Sequence, residues 1–208
     1  LIPADKKYIF MGEYHEELLS LRLQQTIADY ARLHPATQVI VFSEFAYDTQ
    51  TSLTFQGVAP DESLIRYTQN NIRWVGLEEK LPPEISRLII NLSYHPVEVS
   101  LQGLKARNTH WAEMIKSYRA KYPDAVFFIH SGSLHSDYQE PFSVSAAFNP
   151  EESFVMQFIP ALEHLQNYEK FYLVTRGKYL RPGTLIWQNP QYARMAGFNV
   201  QVILPLDE

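Results

Sequence analysis

Short apolar runs alternate along this chain with longer amphipathic segments, and polar residues follow most of the runs. The runs have the length of β-strands and are rich in β-branched and aromatic residues. We predict strands at about 7–11, 38–43, 72–77, 125–129, 153–159, 184–187 and 200–204. The alternation predicts an α/β fold, in which a central mixed, mostly parallel sheet is flanked by helices and the last two strands pair antiparallel at an edge.

Helical periodicity appears between several of these runs. After the first strand, Leu19, Leu23 and Ile27 are spaced by four, as on the buried face of a helix. A long helix is predicted at 103–122, and shorter helical segments are predicted at 61–67, from residue 82 onward and at 161–171. A break is expected at 94–96, because Pro96 disfavours helix in the residue before it. We expect residues 1–208 to fold as a single α/β domain.

Polar side chains stand where four of the predicted strands end. They are Glu13 and His15 after the first strand, Glu44 after the second, Glu78 after the third, and His130 and His135 after the fourth. In an open α/β sheet, the carboxyl ends of the strands border one crevice, so residues distant in sequence meet there. The pattern therefore predicts one shared pocket.

The pair Glu13 and His15 is the first candidate for chemistry in that pocket. The preceding Gly12 predicts a turn that directs both side chains into the crevice. An imidazole beside a carboxylate can act as a general base or bind a metal ion. The alternative is a helix-capping glutamate next to a partly exposed histidine.

Arg107 is the second candidate, because it falls on the apolar stripe of the predicted helix between Leu104 and Trp111. It also falls near the predicted amino terminus of that helix, where the dipole disfavours a cation. We therefore expect an anionic partner, which would be Glu13, Glu44 or Glu78. An arginine held in this way can bind a carboxylate or stabilise an oxyanion, and the alternative is a purely structural ion pair.

The segment 130–135, His-Ser-Gly-Ser-Leu-His, is the third candidate. We favour His135 as a functional group over His130, which still belongs to the strand and has the position of a core histidine. Ser131 and Ser133 lack the Gly-x-Ser-x-Gly pattern of a nucleophile elbow, so acyl-serine chemistry is not expected.

Composition excludes several functional classes. The net charge of −5 provides no basic stripe, so nucleic acid is not an expected partner. No apolar run approaches the length of a membrane span. The chain has no cysteine, which excludes thiolate chemistry and is compatible with an oxidising compartment. Because it begins with Leu1 and not with Met, we expect a removed leader, tag or neighbouring domain, and a secreted or periplasmic location.

Three short motifs, in order, resemble the superfamily that groups erythromycin esterase, the haem-binding protein ChaN, and the TraB and TIKI proteins. Gly12-Glu13-Tyr14-His15 is similar to its Gly-Glu-x-His element, Arg107-Asn108 to its Arg-Asn helix, and Gly132-Ser133-Leu134-His135 to its Gly-x-x-His element after a strand. Glu44 stands where a glutamate closes the second strand of that superfamily. The resemblance implies an α/β fold with these residues lining a pocket, and it is compatible with esterases, metal-dependent proteases and haem carriers.

Three functional hypotheses follow. The first is a hydrolase acting on a small-molecule or peptide substrate, in which His15 is oriented by Glu13 or Glu44 and activates water, while Arg107 and His135 stabilise the developing anion. Glu78 belongs to the same predicted catalytic set, and a divalent metal bound by His15 and His135 is optional. The second is a haem-binding protein without turnover, with Tyr14 and Tyr138 as candidate ligands. The third is a bacterial effector or toxin domain that acts on a host cell through the same pocket. The sequence leaves the oligomeric state open.

Overall fold

The computed structural model describes nine stretches of the chain, which hold all the elements named below. The stretches are 2–13, 17–44, 71–77, 82–84, 97–138, 140–160, 178–181, 184–188 and 198–204. The strands are β1 Tyr8–Glu13, β2 Val39–Ser43, β3 Ile72–Gly76, β4 Val126–Gly132, β5 Ser153–Pro160, β6 Lys178–Arg181, β7 Thr184–Gln188 and β8 Val200–Leu204. The helices are α1 Glu17–Leu33, α2 Val97–Lys121 and the single turn α3 Ser133–Ser136, with a 3-10 helix at Ser145–Ala147.

The eight strands form one sheet in the order β3-β2-β4-β1-β5-β8-β7-β6. The first six strands of that order run parallel to their neighbours. Strands β7 and β8 pair antiparallel, as do β6 and β7. The predicted mixed, mostly parallel α/β sheet with an antiparallel pair at one edge is confirmed.

Helices α1 and α2 cover opposite faces of this sheet. Side chains alternate between the two faces along each strand. On one face, Leu23, Ile27 and Ala31 of α1 pack on residues that include Ile9, Met11, Val39, Val41 and Phe128. On the other face, Trp111, Ala112 and Ile115 of α2 pack on residues that include Phe10, Ile40, Phe42, Phe127 and Ile129. These two apolar layers hold the strands rigidly and so fix the positions of whatever follows them.

Two details of the local predictions are wrong. Helix α2 begins at Val97, directly after Pro96, and not at residue 103. Arg107 therefore lies near the middle of the helix, and the unfavourable dipole at a helix start does not act on it. Gly12 lies within β1 and does not form a turn, because β1 continues through Glu13 in register with β4 and β5.

Several predictions fall on residues that the structure does not describe. Tyr14, His15 and Glu78 lie outside the described residues, as do the predicted helices at 61–67 and 161–171 and the predicted break at 94–96. Within the described stretches, no helix combines the length and the apolar character that a bilayer span requires.

Candidate functional site

The carboxyl ends of β1, β4 and β2 lie side by side, and the candidate residues follow from this order. Glu13 of β1 is in register with Gly132 of β4, and Ser43 of β2 with His130. The Glu44 amide donates a hydrogen bond to the His130 carbonyl at 3.0 Å, which extends the β2–β4 ladder by one residue. Residues far apart in sequence therefore reach the same edge of the sheet, as the strand-end pattern predicted.

Glu44 is the centre of the contacts at this edge. Its Oε1 lies 2.6 Å from a terminal nitrogen of Arg107 and 3.5 Å from Nε2 of His135. Its Oε2 accepts a hydrogen bond of 2.8 Å from the backbone amide of Gly132. The Glu44 side chain is only 7% exposed, so this carboxylate depends on those donors in place of water.

These surroundings determine the ionisation of Glu44. Burial raises the pKa of its carboxyl, but the hydrogen bond and charge of His135, the charge of Arg107 and the Gly132 amide together lower it further. The net result is a pKa well below the usual range of a glutamate. Glu44 is consequently a fixed anion at any pH near neutrality.

Arg107 satisfies the expectation of an anionic partner by pairing with Glu44. Its guanidinium also lies over the ring of Trp111, 4.4 Å from the ring centroid, because positions i and i+4 share a face of α2. The Arg107 side chain is 13% exposed. A cation so far withdrawn from water, with a carboxylate and an indole as neighbours, has a strongly restricted geometry.

His135 is held on three sides. Its Nδ1 lies 2.5 Å from Oδ1 of Asn108, and its ring packs against Trp111 with centroids 4.7 Å apart. The backbone carbonyl of His135 accepts a hydrogen bond of 2.7 Å from the Val144 amide. The imidazole is therefore fixed in position, and Nε2 is the nitrogen that faces Glu44.

Gly12 makes room for the helical turn that carries His135. A Cβ at Gly12 would meet Ser136 Oγ at 2.2 Å and Ser133 Cα at 2.9 Å. The second of these neighbours is backbone, which cannot rotate away. The absence of a side chain at Gly12 thus lets α3 lie directly on β1, which is a different function from the predicted turn.

Glu13 and His130 occupy the opposite face of the sheet. Strand alternation puts them on the α1 face with Ile9 and Phe128, whereas Glu44 continues the α2 face. The His130 Nε2 lies 3.3 Å from Glu13 Oε1, and both side chains are almost fully buried. The carboxyl edge therefore carries candidate residues on both faces.

Tyr138 lies on the α2 face, partly buried and packed against that side of the core. Its hydroxyl is buried, so the side chain contributes to packing at this point of the fold. Among the described residues, no group of three or more histidine, aspartate and glutamate side chains is arranged to hold a metal ion. Moreover, His135 directs one nitrogen to Asn108 and the other to an ion pair that already contains a cation.

The resemblance placed Asn108 in the pocket as part of the Arg-Asn element but gave it no role of its own, and Trp111 was expected only on the apolar stripe of its helix. Asn108 is 2% exposed, and its Nδ2 donates a hydrogen bond of 2.7 Å to the carbonyl of Phe142. A detectable signal did exist, because Asn108 continues the stripe of Leu104, Trp111 and Ile115, and a buried amide on such a stripe requires polar partners. The Gly132 amide that binds Glu44 gives no signal in a sequence.

Comparisons with known proteins bear on the fold. No protein-family model matches this sequence, and the search of curated proteins returned no matching relative. The structure is similar to that of a mutant of the erythromycin esterase EreC in its open conformation, with a TM-score of 0.55 and 8% sequence identity. The similarity covers 97% of this chain and 91% of that chain. At this identity, the similarity shows a distantly related fold.

Proposed function

We propose that this chain is a hydrolase that activates water at the carboxyl edge of its sheet. The observation that carries the proposal is the buried Glu44 carboxylate, which binds Arg107 at 2.6 Å and faces the fixed His135 at 3.5 Å. A guanidinium and an imidazole held in place in this way are suited to stabilise negative charge that develops on a substrate. The fold similarity to a solved esterase supports the same class of reaction.

The candidate residues divide the steps of the proposed reaction between them. His15, oriented by Glu13 or Glu44, takes a proton from water as the water oxygen adds to the carbonyl carbon of a carboxylic ester. Arg107 and His135 stabilise the resulting oxyanion. The bond to the leaving oxygen then breaks and that oxygen takes a proton from Nε2 of His135, which the proton removed by His15 later replaces. The products are a carboxylic acid and an alcohol. A peptide bond is the alternative substrate of the same scheme.

Glu44 has a positioning role in this scheme. Its pKa is held low by Arg107 and His135, so it stays ionised and does not transfer protons near neutral pH. It keeps the guanidinium and the imidazole at one point of the sheet edge. An ionised carboxylate can also orient an imidazole, so Glu13 and Glu44 are both candidate partners for His15, and Glu78 is a further candidate from the sequence.

The experiment is an assay of chromogenic carboxylic esters and lactones with the unmodified protein and matched histidine variants. We expect His15→Asn and His135→Asn to lose at least about 100-fold in turnover, as is usual when an acid–base group is removed. His34→Asn is the control, because His34 is exposed beyond the end of α1. Full activity in the His15 variant, with folding verified by circular dichroism, would contradict the assignment.

The haem-binding and effector hypotheses stay predictions. Tyr138 adds no support for haem ligation, because its hydroxyl is buried. A titration of the protein with haem distinguishes the first alternative, since ligation by a tyrosine or histidine would shift the Soret band.

A further inference from the structure

We propose that Asn108 is a positioning residue that holds His135 in the tautomer protonated on Nδ1, so that Nε2 is the nitrogen that transfers a proton. The catalytic consequence rests on the proposed hydrolase function. The tautomer itself does not depend on that function, and it can be measured whether or not the protein hydrolyses an ester.

The first step concerns the orientation of the Asn108 amide. Its Nδ2 lies 2.7 Å from the Phe142 carbonyl oxygen, and a carbonyl can only accept a hydrogen bond. The NH2 group of the amide must therefore face Phe142, and the amide oxygen must face His135. Because an amide oxygen also only accepts, the proton of the 2.5 Å contact belongs to Nδ1 of His135.

The second step compares the two ring nitrogens. At Nδ1, a contact of 2.5 Å between two lone pairs would be strongly repulsive, so a proton is required there. At Nε2, Glu44 Oε1 lies 3.5 Å away, at the long limit of a hydrogen bond, so this nitrogen can carry a proton or lack one without a clash of lone pairs. The single proton of the neutral ring therefore stays on Nδ1.

The third step is that the ring has little freedom to adopt another arrangement. It packs against Trp111 on one side, and the His135 backbone is bonded to Val144. The Ser145 hydroxyl bonds the next carbonyl, that of Ser136, at 2.8 Å. Rotation of the imidazole would break the contact with Asn108 and leave its buried oxygen without a donor.

The chemical consequence concerns the second proton. When Nε2 is protonated, its N–H points towards the ionised Glu44, which lies beside Arg107. That proton can pass to the leaving oxygen of the substrate as the bond from that oxygen to the acyl carbon breaks. The ring is then neutral, in the tautomer set by Asn108, until the proton that His15 took from water replaces the one transferred. This is the arrangement of an orienting group, an imidazole and a reacting oxygen that general acids use.

The test is NMR of protein labelled with ¹⁵N in its histidines, at a pH at which the His135 ring is neutral. The resonances of His135 are assigned by their loss in His135→Gln. We expect the unmodified protein to carry its proton on Nδ1. We expect Asn108→Asp, which still offers Nδ1 an acceptor, to keep that tautomer and to be less stable, because a carboxylate cannot donate to the Phe142 carbonyl. In Asn108→Leu the acceptor is gone and the Glu44 carboxylate attracts the proton, so we expect the Nε2 tautomer.

Asn71→Leu is the matched control. Asn71 donates to three backbone carbonyls near the end of α1 and has no contact with His135, so this variant should lower stability and leave the His135 tautomer unchanged. A proton on Nε2 in the unmodified protein, or an unchanged tautomer in a folded Asn108→Leu variant, would overturn the proposal. If Asn108→Leu does not fold, the spectrum of the unmodified protein still shows which ring nitrogen of His135 carries the proton, and so tests the proposal.

Kinetics separate this inference from the proposed function. If an ester is hydrolysed, we expect Asn108→Leu to lower kcat by roughly 100-fold, the lower end for an acid–base group, and to change the pH profile. Asn108→Asp should lower kcat less than Asn108→Leu does, because Nδ1 keeps an acceptor. A protein with the Nδ1 tautomer and no hydrolytic activity would disprove the proposed function and support the inference about Asn108. An active protein with the Nε2 tautomer would support the function and disprove the inference.

Discussion

Two arginines on helix α2 lie about three turns apart and have different surroundings. Arg107 lies near the carboxyl edge of the sheet and binds the carboxylate of Glu44. Arg119 lies near the opposite edge and donates to the carbonyls of Lys7, Pro123 and Ala125 and to the Tyr8 hydroxyl. Both guanidiniums also lie over aromatic rings, Arg107 over Trp111 and Arg119 over Tyr8 and Phe127.

The difference teaches that a buried or half-buried arginine is not by itself a sign of function. Arg119 is satisfied by neutral acceptors from two chain segments, which it joins to α2, and its charge is not matched by any carboxylate among the described residues. Arg107 has a carboxylate partner that also faces a histidine. Charge complementarity together with an ionisable neighbour is what distinguishes the candidate site from a structural cross-link.

The largest expected effect comes from removing the anion beside Arg107. Glu44→Leu removes the carboxylate that binds the mostly buried guanidinium of Arg107, so we expect the free energy of unfolding to fall by about 3–5 kcal/mol. Replacing both residues, as Glu44→Leu with Arg107→Leu, should recover most of that loss, because no uncompensated charge remains. Urea denaturation of the three proteins measures both values. A double variant as unstable as the single one would show that the pair contributes through packing alone.

The next effect concerns Arg119. Arg119→Met keeps most of the side-chain volume but removes every hydrogen bond to the Lys7, Pro123 and Ala125 carbonyls, so we expect a loss of about 2–3 kcal/mol. Lys121→Met is the control, since Lys121 is an exposed cation in the same turn, and its stability should stay within about 0.5 kcal/mol. If both variants lose the same free energy of unfolding, the hydrogen bonds of Arg119 are not a structural cross-link, and the contrast between Arg119 and Arg107 is disproved.

A smaller loss is expected at Gly12. Gly12→Ala places a methyl group against Ser136 Oγ and the Ser133 backbone, and the displacement of α3 should cost about 1–3 kcal/mol. The double variant Gly12→Ala with Ser136→Ala relieves only the first contact, so it should recover part of the loss. Turnover should fall in both, because α3 carries His135. Unchanged stability in Gly12→Ala would mean that α3 is not held against β1.

The smallest effect is a change in pH dependence. Since the folded pKa of Glu44 lies below its unfolded value near 4.5, its contribution to stability is complete above that pH and is lost as the pH falls towards the folded pKa. This contribution amounts to a slope of at most about 1.4 kcal/mol per pH unit. Unfolding free energies measured from pH 6 to pH 3 should show a shallower slope in Glu44→Gln than in Arg119→Met. Equal slopes would contradict the assigned ionisation.

The strands of the core were predictable because their side chains are apolar on both faces. Val39–Ser43, for example, is a continuous apolar run that ends in a small polar residue. Strand β6, Lys178–Arg181, was not predicted, because it has four residues with charges at both ends and its pairing with β7 is irregular. The early start of α2 was missed since Val97 and Val99 are weak helix formers, and the apolar stripe that packs on the sheet begins later.

The site was partly predictable for the same reason. Glu44 and His135 could be found from strand ends, and Arg107 from a charge on an apolar stripe. The position of Glu13 and Glu44 on opposite faces of the sheet could not be predicted, because it depends on the register of strands that are distant in sequence. Asn108 carries no charge, and its importance lies in two hydrogen bonds that only the folded chain brings together.

Helix α2 is one continuous body of 25 residues, and this gives it the mechanics of a lever. Its fulcrum is the Arg119 cross-link, and Arg107 lies about 18 Å away along the axis. A tilt of only about 3° at the fulcrum would move Arg107 by about 1 Å, a displacement that can lower an enzyme's rate by about 100-fold. Substitutions around Tyr8 and Pro123 are therefore expected to lower turnover, although they touch no atom of the candidate site.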